Sequence, residues 1–134
     1  MKLAVRMILS LVAAALPLGQ SSAQGIELEP DGVVFFGSAS NTSHPATIQI
    51  KKVEKKTPEH RTIKAEGVRK ESARYEILIA KMHKRIKKAA KAAAEENTCD
   101  CVVRRGDIKN ARGSDVTDLT EEVIKQLESS DPGS

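Results

Sequence analysis

Tryptophan is absent, tyrosine occurs once and phenylalanine twice in a chain of 134 residues. A chain this short, 30% charged and this poor in aromatics cannot bury a large core by itself. That argues against a self-sufficient enzyme with a deep pocket. It favours an elongated helical protein or an oligomer that shares a core between subunits. Eight glycines and five prolines are too few for a collagen-like or linker sequence. There is no Gly-rich phosphate loop, no HExxH and no G-x-S-x-G, so the common signatures of nucleotide, zinc-protease and serine-hydrolase chemistry are missing. Only two cysteines are present, Cys99 and Cys101. Beyond the first 23 residues no stretch is apolar enough to span a membrane.

What is there begins with an export signal over residues 1–23. Lys2 and Arg6 give a basic start, Met7 to Leu18 is apolar and uncharged, and Ser21-Ser22-Ala23 supplies small residues before a cut. The apolar run is too short for a comfortable span. An N-terminal anchor that is never cut is the alternative reading. The expected product is exported, with a bacterial periplasm as its compartment. Asn41-Thr42-Ser43 is a glycosylation sequon, which means little in a bacterium.

Removing the signal lowers the formal charge from +4 to +2, and what remains is polarised. Residues 24–50 hold three acids and no base. Residues 51–91 hold fifteen bases against five acids. Residues 92–134 hold five bases against ten acids. The central block makes a local field that attracts acidic proteins, anionic lipid headgroups or nucleic acid. Export makes nucleic acid the least suitable partner. The plainer reading is a solvated helix face.

Residues 24–45 read as an irregular N-terminal segment. Pro30-Asp31-Gly32 marks a turn, and Val33 to Phe36 is a short apolar run fit for a strand. In Ala46 to Val53, ATIQIKKV, the apolar Ala46, Ile48 and Ile50 alternate with polar residues, the period of a half-buried strand. Thr57-Pro58-Glu59 starts a helix, with Thr57 as cap and Pro58 at the first helical position; it runs to Glu66, where Gly67 weakens it. Val68 to Asn97 is expected as one long helix of about 45 Å. Its apolar seam is Val68, Tyr75, Ile79, Met82, Ile86, Ala89 and Ala93. Cys99 to Val103 then reads as a strand, Arg104 to Asp107 as a turn and Ile108 to Asn110 as a second strand. The last helix opens at Asp118-Leu119-Thr120, capped by Asp118 with Glu121 in a capping box or by Thr120, and buries Val123, Ile124 and Leu127. Residues 129–134 form a polar tail.

The chemistry candidates are few. Two cysteines in an oxidising compartment invite a disulfide. Residues two apart on a strand project to one face near the upper distance for bridging, which opposes it. Two small buried residues, an intersubunit disulfide and a redox pair stay open as readings. His44, His60 and His83 are scattered and complete no metal site. Glu95 and Glu96 do not share a helix face and form no acid/base pair. No catalytic residue, cofactor or metal is expected.

The stretch from Ile86 to Leu127, IKKAAKAAAEENTCDCVVRRGDIKNARGSDVTDLTEEVIKQL, resembles the C-terminal half of the Skp/OmpH family of periplasmic chaperones. In that family an Ala- and Lys-rich helix runs into a short apolar strand, a turn and a second strand. An Asp-Ile-Thr-type motif then opens a final helix. Here the strand is Cys101-Val102-Val103 and the motif Asp118-Leu119-Thr120. Ala46 to Glu59, ATIQIKKVEKKTPE, is similar to the family's first strand and the entry to its arm. The resemblance covers residues 46–128. It implies a β-rich body that trimerises, with basic helical-hairpin arms that hold unfolded outer-membrane proteins without ATP. This sequence departs from that plan in arm length: one half of the hairpin, Pro58 to Glu66, is barely two turns, so the arms are stubs.

The sequence therefore predicts an α+β protein: a small β-sheet body, one long basic amphipathic helix and a C-terminal helix. It predicts oligomerisation, because the seam and the sheet face exceed what one subunit covers. The expected activity is that of an ATP-independent holdase for unfolded outer-membrane or envelope proteins. The client-facing set is Lys70, Arg74, Lys81, Lys84, Arg85, Lys87, Lys88 and Lys91. Ile79, Met82, Ile86, Val102, Val103, Val123, Ile124 and Leu127 are assigned to packing or subunit contact. The alternative is an envelope adaptor that keeps the same body and docks one folded partner or an anionic surface.

Overall fold

The computed structural model describes residues 25–130, so the expected export signal and the last four residues lie outside the described residues. The fold is α+β, as expected. In chain order the elements are β1 (Glu27–Leu28), β2 (Val34–Gly37), a 3-10 turn (Ala39–Asn41), β3 (Pro45–Ile48), α1 (Ile50–Glu54), α2 (Pro58–Glu66), α3 (Ala73–Glu96), β4 (Cys101–Arg104), β5 (Ile108–Asn110), β6 (Thr117–Asp118) and α4 (Thr120–Ser129).

Four strands form one sheet in the order β2-β4-β3-β6, and β1 pairs with β5 in a separate ribbon. β3 runs parallel to β4, with Ala46 opposite Val102 and Thr47 opposite Val103. A parallel pair needs a long crossover. Helices α1, α2 and α3 provide it. β2 pairs antiparallel with β4 on its other side.

Of the expected irregular segment 24–45, residues 25–45 are not an irregular appendage, and the apolar run read as a strand is β2. They supply an edge of the main sheet and one strand of the ribbon, and Ile26 is buried. Charge-poor, short and interrupted by turns, the segment carries too few alternating residues for the pairing to be read locally.

The sheet is covered on both faces. Along β4, Val102 points into the helical layer with Met82, Ile86, Val123, Ile124 and Leu127. Its neighbours Cys101 and Val103 point into a second core with Ile26, backed by Leu28 and Ile108 of the ribbon. Double coverage explains why all four residues of β3 are buried. A strand buried on both faces has no polar side to alternate with. The expected half-buried strand over Ala46 to Val53 is corrected accordingly. It ends at Ile48, and Ile50 begins a short helix that buries Val53 one turn on.

The first hairpin helix is bounded where the sequence places it. Thr57 Oγ1 accepts from the His60 N–H at 3.2 Å, and Pro58 occupies the first turn. Gly67 ends it at φ 60, the left-handed conformation glycine adopts without a Cβ penalty. The long helix starts five residues later than expected. Ser72 Oγ accepts from the Tyr75 N–H at 3.1 Å and caps α3, so Val68 to Ser72 form the connecting turn. The 24 residues of α3 make a rod of about 36 Å.

The seam is genuine, but its partner is internal. Met82, Ile86, Ala89 and Ala93 are buried against α4 and the sheet, while Tyr75 and Ile79 are half-buried. The small Ala residues let α4 approach closely. From Met82 onward the chain covers its own seam, which removes the uncovered helix face as an argument for oligomerisation. Among the residues assigned to packing, all except the half-buried Ile79 lie in the two cores.

The C-terminal end differs from expectation: Leu119, between the two expected cap residues, occupies the cap position of α4 with no side-chain cap bond of its own. Asp118 Oδ1 accepts from the Thr120 N–H at 2.9 Å and from its hydroxyl at 2.6 Å. Glu121 completes no capping box; it pairs with Lys52 at 2.6 Å and ties α4 to α1. Helix α4 extends through Ser129, into the expected polar tail.

Candidate client-binding groove

Helix α3 places its bases by turn. Lys81, Lys84, Arg85 and Lys88 recur at spacings of three, one and three, so they project to one side of the rod. Lys81, Lys84 and Lys88 are exposed. They line a hollow of about 500 Å³ whose other walls are Glu59 of α2, the small side chains Ala89 and Ala92, and Gln126 and Ser130 at the end of α4. Among the described residues no carboxylate pairs with any of these three lysines. Their field therefore faces outward over a partly apolar floor.

Arg85 has a different job. Glu59 is only 6% exposed. Its Oε1 accepts from Arg85 Nε at 2.9 Å and its Oε2 from Arg85 Nη2 at 2.9 Å. Such a fork fixes orientation as well as supplying two charge-assisted bonds. It clamps the short helix to the long one and builds one wall of the groove.

The remaining expected contacts scatter. Arg74 forms an ion pair with Glu66, tying the start of α3 to the end of α2. Lys70 lies in the connecting turn beside Tyr75 and Ile79. Lys87 faces a separate hollow with His83. Lys91 is exposed one turn beyond Lys88. The structure thus gathers Lys81, Lys84 and Lys88 into one groove, gives Arg74 and Arg85 to internal ion pairs and sends Lys87 elsewhere. Glu59, Gln126 and Ser130 were not legible as groove residues. They come from helices distant in sequence, and only the fold brings them together. On the outer half of α3, Ile77 is 56% exposed.

The cysteines do not share a strand face. Cys99 precedes β4 and packs in the helical core, whereas Cys101 lies in the second core on the far side of the sheet. Both are free and buried. Burial, with the Asp100 charge beside it, pushes the Cys101 thiol up to about 11. Burial and Asp100 raise Cys99 too, against a hydrogen bond with Thr117. Thiols held protonated are poor nucleophiles and poor metal ligands. Asp100 itself caps the loop before β3. Its carboxylate accepts from the Thr42 hydroxyl, from the Ser43 N–H at 3.0 Å and from the His44 N–H at 3.1 Å. Burial alone would raise its pKa, but these hydrogen bonds together hold it below the ordinary value.

Among the described residues no cluster of three His, Cys, Asp or Glu side chains is placed to hold a metal. No described helix is long and apolar enough to cross a membrane. Compared with known proteins, the chain matches no family model, no curated protein and no solved structure.

Proposed function

We propose that the protein is an exported, ATP-independent holdase of the Skp/OmpH type that binds unfolded outer-membrane or envelope proteins in the periplasm. The observation that carries the reading is the groove between α2, α3 and α4: three exposed lysines that pair with no carboxylate among the described residues, beside the half-buried Ala92. Charge steers an acidic, unfolded chain toward the groove. Weak contacts with the half-buried Ala92 and the exposed outer half of α3 then hold its apolar segments. Neither step needs a nucleotide or a reacting side chain.

The order of elements supports the same reading. From β3 on, a strand leads through α1 into the α2–α3 hairpin, which returns to β4, a turn and β5. β6 then precedes α4, whose first residue Thr120 donates its N–H to Asp118. That order accords with the resemblance carried by residues 46–128. Trimerisation, which the resemblance implies, would multiply these weak sites around one axis.

One observation favours the adaptor reading. Helix α2 has only nine residues, so the hairpin is a stub with little inner surface. Promiscuity separates the two. The immobilised protein is exposed to several urea-unfolded barrel proteins and to their folded forms. Capture of many unfolded chains and few folded ones supports the holdase. Retention of one folded partner only supports the adaptor.

A further inference from the structure

A second hollow, which shares no residue with the lysine groove, lies between β2, α1 and α3. Its volume is about 320 Å³, at the small end of ligand pockets. Its apolar wall is Phe35 from the edge strand with Ile50 from the start of α1, both packed on the helical side of the sheet.

Counting Asp107 with Arg104, the formal charges around it sum to one positive charge. Lys51 and Glu54 sit three residues apart on α1 and carry opposite charges on one rim. Arg104 is held by the buried Asp107, Nε to Oδ2 at 2.8 Å. Lys87 remains. It is exposed, pairs with no carboxylate among the described residues, and stands one turn beyond His83 on the same wall. The hollow therefore offers an apolar lining and one unbalanced positive charge. Its size excludes a folded partner, and its single excess charge does not suit a polyanion.

We propose that this hollow binds a free monocarboxylate with a medium-length alkyl tail. The carboxylate sits at Lys87 and the tail lies against Phe35 and Ile50. The site is independent of the lysine groove, so it stands whether or not the protein is a holdase.

The test is calorimetric titration of the protein with hexanoate, octanoate, decanoate and 1-octanol, all below their aggregation limits. Binding is expected to saturate at one ligand per chain and to tighten about fourfold for each added methylene. Octanoate should bind about tenfold or more tightly than 1-octanol, the value of a charge-assisted contact. Lys87→Gln, an exposed substitution, should bring octanoate down to the level of the alcohol and leave the alcohol unchanged. The proposal is overturned by an absence of saturable binding, by a missing chain-length trend, by equal affinity for octanoate and 1-octanol, or by a Lys87→Gln variant that binds octanoate as before. The ratio of acid to alcohol is read on the unsubstituted protein and does not depend on the variant folding.

Discussion

Glu59 and Arg85, 26 residues apart, meet in a two-bonded fork with both short contacts at 2.9 Å, and the glutamate is almost fully buried while the arginine keeps a third of its side-chain surface. Removing Glu59 takes both of these charge-assisted bonds from Arg85 in a partly dry site. Glu59→Ala should destabilise the protein by roughly 1–3 kcal/mol, below the cost for a fully buried pair because Arg85 can turn to water. Urea unfolding read by circular dichroism measures it. A change within a few tenths of a kcal/mol would mean the fork is decorative.

The exposed lysines should behave in the opposite way. Lys84→Glu with Lys88→Glu should leave the unfolding midpoint nearly unchanged, since exposed substitutions away from packing cost little. The pair should slow capture of an acidic unfolded client by on the order of tenfold at low salt. Unaltered capture kinetics would remove the basic groove from the mechanism.

Gly37 occupies φ +79 beside the Asp100 carbonyl, where an added Cβ would overlap the backbone oxygen. Both the conformation and the close approach require glycine. Gly37→Ala should cost about 1–3 kcal/mol through strain and displacement of β4, measurable as a lower melting temperature. A Gly106→Ala control, at φ +93 with no atom near the added Cβ, should lose less, because only the backbone term applies.

Asp100 and Asp118 both have pKa values lowered from 3.8. Burial acts upward on each, but hydrogen bonds outweigh it: those of Ser43, Thr42 and His44 for Asp100, and those of Thr120 for Asp118, with Arg105 adding charge. A group whose folded pKa is depressed binds protons more readily when unfolded. Its stabilisation is complete above 3.8 and disappears as pH falls through the lower folded value. Urea midpoints should therefore fall steeply below about pH 4. Asp100→Asn should be less stable at pH 7 and show a shallower acid limb. An identical acid limb in the variant would exclude Asp100 as a contributor.

Much of the fold is legible in the local sequence, and the gaps have causes. Thr57-Pro58 and Gly67 bound α2 as written, because caps act within one turn. The α3 seam from Tyr75 to Ala93 shows in its spacing, although the Ser72 cap outcompetes helix propensity at Val68. Ile50 reads as part of a strand because three alternating apolar residues mimic one. Burial of β3 on both faces, with Leu119 N–H donating to Thr47 O at 2.9 Å, is a property of the assembled sheet. The groove was legible in part. Lys81, Lys84 and Lys88 follow from helix geometry. The loss of Arg85 and Arg74 to Glu59 and Glu66 depends on how two helices pack, which no spacing within one helix reveals.

The most direct measurement is light scattering from a urea-unfolded outer-membrane barrel diluted into buffer with increasing amounts of the protein, at low and at high salt. A charge-steered holdase suppresses aggregation in proportion to its concentration, and salt weakens the effect because the Debye length shrinks from about 10 Å at 0.1 M to about 3 Å at 1 M. Aggregation that proceeds unchanged at every excess of the protein would contradict holdase activity.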